Sequence, residues 1–87
     1  MSKIKIQEVS SVGCSSCVAA KKILDEDIKS QFPHVEIEYI DMLSDEGQKM
    51  VRDHGIMASP GIIVNGELFS SGALDKKRLV KKIQSLT

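Results

Sequence analysis

Residues Lys3–Val18, with the sequence KIKIQEVSSVGCSSCV, combine a strand pattern, a loop and a helix pattern. Its first half alternates isoleucine with lysine before it reaches Val9, and this period of two predicts a β-strand over about residues 3–9. A short loop follows, and beyond it the apolar residues recur at helical spacing. Cys14 and Cys17 therefore stand where a strand passes through a loop into a helix.

The rest of the chain predicts three more strands and three helices. Asn65-Gly66 between two apolar runs is a strong hairpin signal, because both central residues of the favoured turn need a positive φ. The predicted elements after the first strand are helix 15–31, strand 35–40, helix 44–54, strands 62–64 and 67–69, and helix 75–86. The first β-α-β unit should cross over right-handed and give parallel strands, whereas the hairpin adds antiparallel ones. A mixed four-stranded sheet with helices on both faces is the economical packing.

Length and composition indicate one small domain over residues 1–87. The chain has a mass of 9.6 kDa, with 41% hydrophobic and 28% charged residues, which is too apolar for a disordered protein. The 12 basic and 12 acidic residues cancel, which argues against nucleic-acid binding, because that affinity rests on neutralised phosphates. No apolar run approaches the ~20 residues of a membrane span, and the start of the sequence does not match a secretory signal. We expect a cytoplasmic monomer that binds neither nucleic acid nor membrane.

Cys14 and Cys17 are the only cysteines, and their spacing favours a chemical role. A bond between them would close a tiny loop and remove little entropy from the unfolded chain, so it would stabilise the fold weakly. Side chains three apart on a helix lie about 5–6 Å from each other, and a slightly tightened first turn makes or releases a disulfide. The free N–H groups at a helix start favour a thiolate, which predicts a lowered pKa for Cys14. Cys17, one turn further, is predicted to be the more buried, resolving thiol.

Three motifs together carry a family resemblance. The segment Gly13–Cys17 (GCSSC) is followed by Gly55–Gly61 (GIMASPG) and then by Val64–Glu67 (VNGE). In this order they resemble the thioredoxin-like superfamily, in particular its small redox-active disulfide proteins, sometimes called glutaredoxin-like. The resemblance extends from Lys3 to Leu86. It implies an α/β, thioredoxin-like fold of order β-α-β-α-β-β-α, with sheet order 2-1-3-4 and three flanking helices, and a thiol–disulfide oxidoreductase activity.

The resemblance also implies roles for individual residues. Cys14 would be the nucleophile and Cys17 the resolving cysteine. Ser59-Pro60 would match the family's cis-proline, which faces the cysteine pair, and the backbone of Ser59 would pair with an extended substrate peptide. Glu8 lies six residues before Cys14, at the spacing of the buried acid that assists proton transfer in thioredoxins. A near-surface Glu8 without a role is the alternative.

Three departures from the family pattern concern the surroundings of the cysteines. The lysine that partners the buried acid in many thioredoxins has no counterpart in Val35–Asp41, and the chain has no tryptophan. The dipeptide between the cysteines is Ser15-Ser16, which matches neither thioredoxin nor glutaredoxin. Since this dipeptide tunes the redox potential, the sequence leaves open whether the protein reduces or oxidises its substrates.

The implied partners are protein disulfides as substrates and an upstream electron donor, either a flavoprotein reductase or glutathione. Ser71–Asp75 is a partial match to the glutathione-binding turn of glutaredoxins, so a glutathione-dependent glutaredoxin is one alternative. The expected cofactor is none beyond the redox-active disulfide, and no metal site is expected.

Two further alternatives belong to other functional classes. Gly13–Val18 also resembles the loop of heavy-metal-associated domains, and two thiolates suit Cu(I). A Cu(I)/Zn carrier is therefore the second alternative hypothesis. Those domains run β-α-β-β-α-β, however, whereas this chain predicts an amphipathic helix after the hairpin. The third is an interaction module with dormant cysteines, which predicts an ordinary thiol at Cys14.

Overall fold

The computed structural model describes residues 3–87 and follows the predicted order of elements. The elements are β1 (Lys5–Ser10), α1 (Ser15–Lys22), a π-helical segment (Ile23–Ile28), α2 (Lys29–Gln31), β2 (Glu36–Asp41), α3 (Asp45–His54), β3 (Gly61–Val64), β4 (Glu67–Ser71) and α4 (Lys76–Leu86). Because α1, the π-helical segment and α2 follow one another without a gap, they form the single helical stretch predicted over 15–31. The π-helical turn inside it was not predicted. The order β-α-β-α-β-β-α is confirmed.

The four strands form one mixed sheet in the order β2-β1-β3-β4. β1 pairs with β2 in parallel and with β3 antiparallel, and in this register Glu8 stands opposite Tyr39 on one side and Ile62 on the other. β3 and β4 form the predicted hairpin. The predicted sheet order 2-1-3-4 is confirmed, with β1 in the interior of the sheet and β2 and β4 at its edges.

Local sequence signals explain where the later helices and the hairpin turn lie. The Ser44 hydroxyl accepts a hydrogen bond from the Gly47 N–H at 3.0 Å and caps the start of α3. Gly55 ends this helix in the left-handed conformation, with a φ of 66°. At the hairpin, Asn65 and Gly66 have φ values of 50° and 82°, as the predicted turn requires.

Two apolar clusters cover the two faces of the sheet. Residues 15–31 and α4 pack on one face, and the buried residues there are Ile4, Ile6, Ala20, Leu24, Ile28, Val35, Ile62, Val64, Leu79 and Ile83. α3 packs on the other, where the buried residues are Val9, Ile40, Met50, Ile56 and Ile63. Because side chains alternate along a strand, Glu8 points to the same face as Ile6, beneath α1. No helix within residues 3–87 combines the length and apolarity needed to cross a bilayer.

Candidate active site

A disulfide joins Cys14 and Cys17 at the start of α1. Cys14 is the N-cap residue of this helix, and the two Cα atoms lie 5.2 Å apart. Gly13 precedes it with a φ of 79°, a left-handed conformation that glycine adopts without strain. Cys17 is buried, with 4% of its surface exposed, whereas Cys14 is only partly buried. A partner molecule therefore meets the sulfur of Cys14 first.

Two hydrogen-bond donors point at the sulfur of Cys14. The backbone N–H of Cys17 lies 3.1 Å from Cys14 Sγ, and the Ser59 hydroxyl lies 3.4 Å from it. The Ser11 hydroxyl in turn donates to Ser59 Oγ at 3.4 Å. Donors that face a sulfur favour its anionic form, so this environment stabilises a thiolate at Cys14 once the disulfide is reduced. The sequence pattern did not predict the contribution of the two serine hydroxyls.

Ser59 and Pro60 are brought to the disulfide from the segment before β3. The peptide bond between them is cis, and Pro60 is fully buried. The Gly72 N–H donates to the Pro60 carbonyl at 3.0 Å, which ties this segment to the end of β4. Ser59 thus contacts Cys14 although the two are 45 positions apart in the sequence.

Glu8 is buried beneath α1, with 1% of its surface exposed. The alternative of a near-surface Glu8 was therefore wrong. Burial raises the pKa of Glu8 to about 7, the positive charge of Lys21 opposes this rise, and the negative charge of Asp25 adds to it. Its Oε1 atom has no hydrogen-bond partner among residues 3–87. A carboxyl group in this state can exchange a proton near neutral pH.

An open cavity of about 180 Å³ joins Glu8 to the buried cysteine. Its lining residues are Glu8, Ser10, Ser11, Cys17, Val18, Lys21 and Tyr39. A second groove of about 290 Å³ begins at the same serines and continues along the ends of β1 and β2 to Asp41. The first cavity gives Glu8 and Cys17 a shared space that is large enough for water.

Three polar residues at this cavity were not predicted as site residues. The Lys21 ammonium lies 5.3 Å from the centroid of the Tyr39 ring, and the Tyr39 phenol donates a hydrogen bond to Asp25 Oδ1. Burial and the Asp25 carboxylate raise the pKa of Tyr39 well above its ordinary value. The family pattern places the lysine that neighbours the buried acid in the segment corresponding to Val35–Asp41, which contains no lysine. The cation comes instead from α1, and its signal was the spacing of four residues from Cys17 to Lys21.

Two large apolar side chains stand exposed on the loops that lead to the disulfide. Val12, just before Gly13 and Cys14, is 91% exposed, and Met57, two residues before Ser59, is 92% exposed. Isolated exposed apolar residues are common, but these two lie close in sequence to Cys14 and to Ser59, whose hydroxyl contacts Cys14 Sγ. The two loops at the disulfide therefore each present an exposed apolar side chain.

Comparison with known families identifies the chain. Residues 2–85 match the family described as the thioredoxin domain. The chain belongs to the thioredoxin family. A relative described as thioredoxin, from Methanocaldococcus jannaschii, is 38% identical over 84 residues, which is 97% of this chain and 96% of the relative. A probable thioredoxin from Methanothermobacter marburgensis is 31% identical over 80 residues, 92% of each chain.

Solved structures show the same thioredoxin fold. Mitochondrial thioredoxin 3 from Saccharomyces cerevisiae, in its oxidised form, superposes with a TM-score of 0.74 at 17% identity, and covers 98% of this chain and 80% of its own. The NTD_N/C domain of alkylhydroperoxide reductase AhpF from Enterococcus faecalis superposes with a TM-score of 0.75 at 24% identity. That match covers 94% of this chain but only 38% of the AhpF chain.

The thioredoxin family, the fold and the disulfide together identify a thiol–disulfide oxidoreductase, as the sequence predicted. The heavy-metal-associated alternative was wrong, since the element order differs from β-α-β-β-α-β and the family is that of thioredoxin. Within residues 3–87, no group of three or more His, Cys, Asp and Glu side chains is placed to hold a metal ion.

Proposed function

We propose that this thioredoxin-family protein exchanges electrons with protein disulfides, with Cys14 as the nucleophile and Cys17 as the resolving cysteine. The observation that carries the proposal is the contrast between the two sulfurs. Cys14 is partly exposed and its Sγ faces two hydrogen-bond donors, whereas Cys17 is 4% exposed and lines the cavity that it shares with Glu8. The environment of Cys14 favours an attacking thiolate. Burial keeps Cys17 protonated and away from solvent until the mixed disulfide at Cys14 has formed.

In the reducing direction, the Cys14 thiolate attacks one sulfur of a substrate disulfide. A Cys14–substrate disulfide forms, and the other substrate sulfur leaves as a thiolate. Cys17 then loses its proton and attacks Cys14 Sγ, which releases the second substrate thiolate. The substrate gains two electrons, the protein is left with its Cys14–Cys17 disulfide, and water protonates the released thiolates. The oxidising direction is the reverse.

Glu8 is the proposed acceptor of the Cys17 proton. Both residues line the same cavity, and no other carboxyl group lies among the lining residues described in 3–87. A group whose pKa is about 7 accepts and returns a proton near neutral pH with little free-energy cost in either direction. Proton transfer through a water molecule in the cavity would connect Glu8 with the thiol.

The segment Ser59-Pro60 is the proposed platform for the substrate. Ser59 lies against Cys14, and its backbone is available for pairing with an extended peptide, as in β-strand addition. The exposed side chains of Val12 and Met57, on the loops that carry Gly13 and Ser59, would provide apolar contacts to the peptide. Hydrogen bonds to backbone would make the recognition tolerant of substrate sequence.

Several finer expectations from the sequence remain proposals. The proposed electron donor is a flavoprotein reductase or glutathione, and the proposed cofactor is none other than the cysteine pair. A single domain over residues 1–87, a monomeric state and a cytoplasmic location are predictions of the same kind. Measuring substrate reduction with each donor in turn would separate the two electron sources.

The test of the proposed function is the reduction of insulin disulfides with dithiothreitol as donor. Cys14→Ser is expected to abolish the catalysed rate, whereas Cys17→Ser is expected to accumulate a mixed disulfide with the substrate, visible by mass spectrometry. Ser85→Ala, at an exposed serine of α4 that does not line the cavity, is the matched control and is expected to keep activity. A Cys14→Ser variant that reduces insulin at the normal rate would rule the mechanism out.

A further inference from the structure

Three residues from three elements lie at or next to the cavity that contains Glu8. Lys21 lies on α1 one turn after Cys17, and Asp25 lies one turn further, inside the π-helical segment. Tyr39 comes from β2, where it stands directly opposite Glu8 in the strand register. π-helical turns occur frequently at functional sites, and this one places Asp25 within reach of the Tyr39 phenol.

The contacts among these residues keep Lys21 at the cavity. Lys21 forms no salt bridge within residues 3–87, and its ammonium lies over the Tyr39 ring, 5.3 Å from the centroid. The phenol of Tyr39 is hydrogen-bonded to Asp25, which fixes the ring on which the ammonium rests. Among residues 3–87, Lys21 is the cation that lines the cavity, and it rests on an aromatic face rather than against a carboxylate.

We propose that Lys21 is a positioning residue that sets the protonation of Glu8 and so the pH range in which Cys17 is deprotonated. Lys21 is held in place by the Tyr39 ring, which Asp25 in turn fixes by a hydrogen bond. This inference rests on the proposed proton transfer from Cys17 to Glu8. Lys21 acts through its charge on Glu8 and does not itself touch the reacting sulfurs.

The charges that face Glu8 make the sign of the effect clear. Lys21 from α1 favours the ionised carboxylate, whereas Asp25 from the π-helical segment disfavours it. β2 contributes the neutral phenol of Tyr39, and β3 contributes apolar Ile62. Glu8 is therefore poised by two opposed charges on one helix, each of which a single substitution removes.

The deciding experiment is a direct titration of the Glu8 carboxyl carbon by NMR in the oxidised protein, where the cysteines do not titrate. Glu8→Gln assigns the resonance. Lys21→Met is expected to raise the pKa of Glu8 by roughly half a pH unit, the size that a partly exposed charge pair produces. Asp25→Asn removes the charge but keeps an acceptor for the phenol, so it is expected to lower the pKa of Glu8. Lys21→Arg is expected to restore the wild-type value.

Lys22→Met is the matched control, because Lys22 is the next residue on α1, is exposed and does not line the cavity. A shift in Lys21→Met no larger than that in Lys22→Met would overturn the proposal. A rise in both Lys21→Met and Asp25→Asn would also overturn it, since loss of structure rather than charge would then be the cause.

The kinetic measurement is the release of substrate from the Cys14 mixed disulfide as a function of pH. Its inflection is expected to move upward in Lys21→Met together with the Glu8 titration. If the titration moves while the inflection stays, Lys21 controls Glu8 but Glu8 does not serve Cys17, and the proton-transfer part of the proposed function fails instead. If neither moves, the inference about Lys21 fails and the roles of the cysteines are unaffected.

Discussion

Ser59→Ala should weaken the nucleophile without disturbing the fold. The Ser59 hydroxyl is one of two donors that face Cys14 Sγ, at 3.4 Å, and the backbone N–H of Cys17 is the other. Alanine removes the hydroxyl and leaves the backbone of this segment unchanged. The reduced protein then loses one hydrogen bond that favours the thiolate over the thiol.

The size of the effect follows from the strength of that contact. A hydrogen bond to a charged group contributes about 1.5–3 kcal/mol, and the length of this one places it below that range, at about 1 kcal/mol. Since one pKa unit corresponds to about 1.4 kcal/mol, the midpoint of the Cys14 thiolate titration should rise by roughly 0.5–1 pH unit. The reduced form is destabilised by the same amount, so the reduction potential should fall by about 20 mV.

The assay is ultraviolet thiolate absorbance of the reduced protein against pH, paired with redox equilibration for the potential. Ser85→Ala is the matched control, because Ser85 is an exposed serine of α4 outside the cysteine motif. Ser11→Ala should produce a smaller shift in the same direction, since the Ser11 hydroxyl reaches Cys14 only through Ser59. A Ser59→Ala midpoint equal to that of Ser85→Ala would refute the role of the hydroxyl.

Three other predictions concern stability, each measured by urea unfolding of the oxidised protein. Because the folded state holds the Glu8 proton up to a pKa of about 7 and the unfolded state releases it near 4.5, the free energy of unfolding should fall as pH rises between these values. Glu8→Gln should remove this pH dependence and raise the free energy of unfolding by up to roughly 2–3 kcal/mol above pH 7. Parallel pH profiles for the variant and the wild type would contradict the raised pKa of Glu8. Gly47→Ala should lower the free energy of unfolding by about 1–3 kcal/mol, although alanine usually favours a helix, because its Cβ would collide with the Asp41 carbonyl. The control Glu46→Ala, at the exposed neighbouring position, should leave the free energy of unfolding nearly unchanged. A Gly47→Ala variant more stable than the wild type would show that α3 can shift. Leu79 is fully buried, so Leu79→Ala should lower the free energy of unfolding by roughly 2–5 kcal/mol. Leu86→Ala should lower it less, because Leu86 is only partly buried. Equal decreases for the two variants would contradict the core described for α4.

Much of the fold could be predicted because its signals are local. The alternation before Val9 and the Asn65-Gly66 turn each act over a few residues and are found as predicted. The Ser44 cap and the left-handed Gly55 set the bounds of α3 in the same local way. The π-helical turn over Ile23–Ile28 could not be predicted. Its apolar spacing is close to that of an α-helix, so the sequence pattern does not distinguish the two.

The site was predicted less completely, because its remaining parts depend on tertiary contacts. The spacing of Cys14 and Cys17 indicated the disulfide, and the family resemblance indicated Glu8. The hydroxyl of Ser59 reaches Cys14 only after the chain returns from β2 and α3, so no local pattern could show it. Lys21 was not predicted because the family pattern places the lysine on the strand that corresponds to β2. In this protein the residue of β2 opposite Glu8 is Tyr39, and the positive charge comes from Lys21 on α1.

The acidic outer strand β2 has a consequence for the protein in concentrated solution. β2 lies at the edge of the sheet and carries Glu36, Glu38 and Asp41, so a second copy that paired along this edge would bring carboxylates together. Repulsion of this kind is a common protection against edge-to-edge aggregation. The acidic edge of β2 thus disfavours assembly of this protein through strand pairing with a second copy.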